Sequence, residues 1–123
     1  MLRRKPGPHC GYELASTPKA TRRVTVRDIE WSAGFLEGEG SFLAGKDGCQ
    51  RVQADQKHRE TLDRLSSCFG GRVTARRGRN IWLWKVYGSR ARGVMLTLYS
   101  LMSSRRQQQI RRALRGEKEA KAA

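Results

Sequence analysis

Trp31-Ser32-Ala33-Gly34-Phe35-Leu36-Glu37-Gly38-Glu39-Gly40-Ser41-Phe42 is the stretch around which the rest of the chain is arranged. Upstream of it, Thr25 followed three residues later by Asp28 offers a helix N-cap and a first-turn acid, the signature of a capping box. The helix then runs through Ile29, Trp31, Ala33 and Leu36, and Gly38 and Gly40 mark its stop. Two local rules are broken here. Glu37 and Glu39 stand at the helix C-terminus, where the macrodipole disfavours negative charge by about 0.3–1 kcal/mol each. Gly34 and Gly38, one turn apart, each cost about 1 kcal/mol relative to alanine. Rules that fail together mark a functional site, and both failures have one physical reading. Small residues at this spacing let a second helix approach until the backbones nearly touch. Carboxylates at the ends of two such helices then meet, and divalent cations relieve their repulsion.

Working outward, 123 residues suit one compact domain with a modest core. No apolar run approaches the roughly 18–20 residues of a membrane span, so no membrane partner is expected. The 26 basic and 11 acidic residues give a formal charge of +15, with a pI ≈ 11.0. Such a balance argues against an enzyme of small neutral metabolites and for a nucleic-acid partner whose affinity falls steeply with salt. A basic structural protein of ribosomal type has the same charge signature. Cys10, Cys49 and Cys68 are odd in number and lack Cys-x-x-Cys spacing, so neither a disulfide framework nor a zinc site is indicated, and they read as buried or idle thiols of an intracellular, reducing compartment. His9, Cys10 and His58 do not combine into a ligand set. Residues 1–24 form a basic arm rich in Arg, Lys, Pro and Gly without an apolar secretory segment, and are expected to be flexible. The arm reads equally as a phosphate-contacting segment and as a solvated tail. The folded domain is expected over 25–114, with 115–123 a frayed tail.

Beyond the opening helix, Ser41 to Ala44 reads as a strand, and Gly45-Lys46-Asp47-Gly48 as a hairpin turn. The return strand, about 49–55, puts Val52 and Ala54 inward and Arg51, Gln53 and Asp55 outward. Arg51 and Gln53 suit base edges, since Arg pairs with guanine and Gln with adenine, although a solvated strand face looks the same. A second helix, 59–68, carries a core stripe of Leu62, Leu65 and Phe69 and ends at Gly70-Gly71. Strands at 72–76 and 81–87 form a second hairpin. Val73, Ala75, Trp82, Trp84 and Val86 face inward, while Arg72, Thr74, Arg76, Lys85 and Tyr87 face outward. A third helix, with Ser89 as N-cap, turns Val94, Met95 and Leu98 to the core, and a Gln-rich helix follows Ser103.

Ser32-Ala33-Gly34-Phe35-Leu36-Glu37-Gly38-Glu39-Gly40 resembles the nine-residue signature of the LAGLIDADG homing endonucleases, with Ser32 in place of its first Leu and Glu where Asp is commoner. Gln56-Lys57-His58-Arg59-Glu60-Thr61-Leu62 resembles that family's junction into its second helix, and Ser103-Ser104-Arg105-Arg106-Gln107-Gln108-Gln109-Ile110 its closing segment. The resemblance spans 28–114. It implies an α+β fold, α-β-β-α-β-β-α-α, whose four-stranded antiparallel saddle lies over the DNA major groove. One motif in one chain implies a homodimer, with Ala33, Gly34, Glu37 and Gly38 at the seam.

The same resemblance implies a site-specific double-stranded DNA endonuclease that hydrolyses phosphodiester bonds, intron- or intein-associated. Its cofactor would be Mg²⁺ or another divalent cation held by Glu39, with no small-molecule cofactor. Gln56 would order water, and Lys85, or Arg90, would offset phosphate charge. Arg51, Gln53, Arg72, Thr74, Arg76 and Lys85 would touch DNA. A non-cleaving binder of the same fold, a maturase or a regulator, is the alternative.

Overall fold

The computed structural model describes residues 18–76 and 78–117. The first 17 residues of the expected arm and residues 118–123 of the expected tail lie outside the described part.

Helix α1 (Val26–Glu39) begins at the predicted cap. The Asp28 amide donates to Thr25 Oγ1 at 3.1 Å, and the Thr25 amide donates back to Asp28 Oδ2 at 3.0 Å. The helix hands over directly to β1 (Gly40–Ala44), which turns into β2 (Gln50–Gln56). Then come α2 (Arg59–Phe69), β3 (Arg72–Ala75), β4 (Trp82–Tyr87), α3 (Gly88–Leu98), a 3₁₀ turn (Tyr99–Leu101) and α4 (Ser104–Leu114). The four strands form one antiparallel sheet in the order β1-β2-β4-β3. This is the expected α+β order with one 3₁₀ turn added.

Period-two alternation decides the two faces. Phe42, Val52, Ala54, Trp84 and Val86 are buried and merge with Leu36 of α1, Leu62 and Leu65 of α2, Met95 and Leu98 of α3 and Ile110 of α4 in one core. Helices therefore cover one face of the sheet, and the other carries mainly polar residues with Leu43 and Leu83 among them. Trp84 is fully buried, and its indole N–H donates to the Gly70 carbonyl at 2.9 Å, so its one polar atom is satisfied. Gly71, at φ +99°, could not be another residue, because a Cβ there would stand 2.6 Å from Trp84 Nε1. The Gly70-Gly71 stop read from the sequence is thus also a packing requirement.

Three expectations need correction. Helix α3 starts one residue before the expected Ser89 cap: Tyr87 holds the cap position, with no side-chain hydrogen bond. Residues 18–24 of the arm follow a bonded path, since Pro18 O accepts from the Gly71 amide at 2.9 Å and Arg22 Nε donates to Ser67 Oγ at 3.1 Å. Cys68 is a buried free thiol, as expected, whereas Cys49 is disulfide-bonded, so the expectation that no disulfide forms fails there and the cysteines lend no support to a reducing compartment; Cys10 lies outside the described residues. Spacing alone cannot show which thiols meet in space. Among the described residues, no helix is long and apolar enough to cross a membrane.

Candidate active site and nucleic-acid interface

Because α1 runs without a loop into β1, its last residue is carried to the end of the sheet. Gly40 pairs with Ala54, which sets Glu39 beside the end of β2. There Glu39, Asp55, Gln56, Lys57, Asn80 and Ile81 line an open depression of about 390 Å³. Two of the three expected catalytic residues, Glu39 and Gln56, therefore share one hollow. The third does not join them: Lys85 stands mid-strand on the outer face, opposite Gln53 on one side and Arg72 on the other. Asp55, Lys57 and Asn80 were not expected in the hollow. Lys57 adjoins Gln56 in sequence, which was the available signal, whereas Asn80 arrives through a hairpin turn that sequence alone does not aim.

The donor set suits a hard cation. Glu39 and Asp55 supply carboxylates and Gln56 an amide oxygen, the ligand type that Mg²⁺ and Ca²⁺ select. Among the described residues no three His, Cys, Asp or Glu side chains cluster closely enough to hold a metal, so these groups make only part of a ligand shell.

Glu37 is engaged inside its own chain. Its carboxylate accepts from the Ser103 amide at 2.8 Å and from the Ser103 hydroxyl at 2.7 Å. These two bonds hold the Glu37 pKa below the ordinary carboxylate range, with help from Arg106 and Arg105 against a desolvation cost. In return, Arg106 Nε donates to the Glu37 carbonyl at 2.9 Å. The last turn of α1 has no basic residue of its own, so Arg106 serves as its C-terminal cation from another helix. The charge that looked misplaced at the end of α1 sits at the N-terminus of α4, where the dipole favours it.

The other expected seam residues divide by face. Ala33 is buried in this chain's own core. Gly34 and Gly38 lie on the exposed face, and a Cβ at either would meet nothing within 4 Å. Half-buried Trp31 and Phe35 flank them, stacked at 5.5 Å with rings 4° apart, and Arg64 covers Trp31 at 4.1 Å.

Across the outer face of the sheet, Ser41, Gln53, Lys85 and Arg72 form one rung, and Leu43, Arg51 and Tyr87 another. Thr74 stands on this face opposite Leu83. All six residues expected to touch DNA are thus on, or next to, one surface. Arg76 falls just beyond β3 and donates to Asp55 at 3.1 Å, which ties it to the edge of the hollow. Arg51 leans on the Tyr87 ring at 5.9 Å.

No family model and no curated protein sequence matches the chain. Among solved structures, the homing endonuclease I-CvuI bound to a DNA target in 2 mM Mg, with the DNA not cleaved, aligns at 17% identity and TM-score 0.56. The alignment covers 74% of this chain and 68% of that one. The same enzyme with another target in 2 mM Ca aligns with the same coverage, identity and score. The homing endonuclease I-TnaI aligns at 16% identity over 76% of this chain and 71% of its own, with TM-score 0.50. The architecture of this chain is that of the homing endonucleases.

Proposed function

We propose that this chain, built on the homing-endonuclease fold, is a metal-dependent endonuclease that binds double-stranded DNA as a homodimer and cuts it at a long, roughly palindromic site. The observation that carries the reading is the meeting of Glu39 and Gln56 in one open hollow at the edge of a basic sheet face. The I-CvuI structures hold DNA with Mg or Ca, which supports the same class of partner and cofactor here.

In this reading two α1 helices pack across Gly34 and Gly38, with Trp31 and Phe35 completing the contact. A C2 arrangement places two Glu39 carboxylates side by side above one duplex. Glu39 would hold the divalent cation, with Asp55 lining the same hollow. When bound, such a cation would supply electrostatic stabilisation for an in-line phosphodiester displacement. Gln56 orients a water molecule through its amide, and Lys57 offers positive charge inside the hollow. Lys85, by its position between Gln53 and Arg72, binds the duplex and offsets phosphate charge there. Arg51, Gln53, Arg72, Thr74 and Arg76 supply the remaining groove and backbone contacts.

Glu39→Gln tests the assignment. Duplex binding is expected to persist, while cutting with Mg²⁺ falls by roughly two orders of magnitude or more, as when one electrostatic stabiliser is removed. Equal cutting by both proteins contradicts the role of Glu39. The basic outer face does not depend on Glu39, so binding without cutting by the parent protein under every divalent metal selects the second reading, a non-cleaving binder of the same fold.

A further inference from the structure

We propose that Glu37 and Arg106 are positioning residues for Glu39, so that the C-terminal helix α4 fixes the end of α1 that carries the metal-binding carboxylate. The inference rests on the nuclease reading for its consequence but on separate observations for its geometry.

Three constraints converge on four consecutive residues. The Glu37 carboxylate accepts both Ser103 donors, and the Ser103 hydroxyl in turn accepts from the Arg106 amide at 3.3 Å as the N-cap of α4. Arg106 Nε closes the return bond to the Glu37 carbonyl. Arg106 is only 7% exposed, with its Nη1 donating to Gln109 Oε1 at 2.8 Å and its guanidinium 6.0 Å from the Phe42 ring. A buried guanidinium carries a desolvation cost, which here is met by a fixed set of acceptors rather than by a mobile counter-ion. Three residues beyond Glu37, the Gly40 amide donates to the Leu36 carbonyl, and a Cβ at Gly40 would stand 2.8 Å from Leu36 Cδ2. Gly40 is also held by its pairing with Ala54. The backbone of Glu39 is thus pinned on both sides, by α4 before it and by the sheet after it. Its side chain is exposed at the hollow. Two helix ends exchange caps, and the residue between that junction and the sheet is the one that needs a fixed place.

The test compares the parent with Glu37→Gln, which keeps the side-chain size and removes its charge, and with the milder Arg106→Lys. Amide hydrogen exchange on the free protein is expected to quicken about 10-fold at Gly38, Glu39 and Gly40 in both variants, with Val52 and Val86 unchanged. In cutting assays the half-saturating Mg²⁺ concentration is expected to rise roughly 10-fold, while duplex affinity in Ca²⁺ stays the same. Unchanged exchange at Gly38 to Gly40 overturns the proposal. So does acceleration spread evenly through the sheet, which marks a general loss of stability. If the parent cuts no duplex with any divalent metal, the nuclease reading fails on its own, and the exchange comparison still decides whether α4 fixes this turn.

Discussion

Asp28 is buried at the first turn of α1, where it accepts from Thr25 and from Arg22 at 2.8 Å and Arg64 at 3.4 Å. The Thr25 amide, ahead of the opposing effect of burial, brings its pKa from 3.8 to about 2, with the Thr25 hydroxyl and the two arginines adding to it. A carboxyl depressed in the folded state stabilises fully above its unfolded pKa and loses that contribution as pH falls through the folded one. Stability should therefore decline between pH 3.8 and about 2, and Asp28→Asn should flatten that part of the profile in denaturant titrations. A variant with the parent's slope in this window removes Asp28 as the source. Ser32 offers a second residue-scale test, because its hydroxyl is buried without a hydrogen-bond partner. Ser32→Ala should be neutral or stabilising by up to about 1 kcal/mol in thermal unfolding, and a clear loss would mean that the hydroxyl is bonded. The capping pair was legible in the sequence because its members are three residues apart. The partner of Glu37 was not, because Ser103 lies 66 residues away and a helix-dipole rule applied to one helix cannot see the end of another.

Elements follow the same division. Alternation in β2 and β4 was enough to assign both faces of the sheet, since one register places every side chain of a strand, while in the edge strand β3 the Ala75 expected inward is exposed. The alternation placed Arg51, Gln53, Arg72, Thr74 and Lys85 together before any coordinates. It could not say that Lys85 stands mid-strand, away from Glu39, or that Arg76 turns back to Asp55. Those outcomes depend on strand order and hairpin geometry. On α1, the glycines separate two roles that one substitution series can read. Nothing lies within 4 Å of a Cβ at Gly34, so Gly34→Ala should raise the stability of the single chain by about 1 kcal/mol through helix propensity. Gly34→Leu should leave the chain folded and abolish its self-association. Unchanged association in the leucine variant places the seam elsewhere. By contrast, Gly71→Ala forces a Cβ against Trp84 and the Lys85 carbonyl at positive φ, and should destabilise by about 1–3 kcal/mol or more in the same thermal assay.

At the scale of the whole molecule, the charge of +15 and the basic outer face make one measurable demand. If the sheet face lies against a duplex, log affinity should fall linearly with log salt, with a slope of about −0.9 for each phosphate neutralised. A flat response removes DNA as the partner. The fold was legible from one motif and the spacing of its neighbours, whereas the proposed pairing of two α1 helices would be a property of two chains that one sequence does not display. The decisive quantity is therefore the number of chains on one duplex. Sedimentation of the protein with a duplex it binds, in Ca²⁺, should give a mass of two chains per DNA, and Gly34→Leu should reduce it to one or none. A parent complex that holds a single chain, and still cuts both strands when Mg²⁺ is supplied, would contradict the paired-helix account.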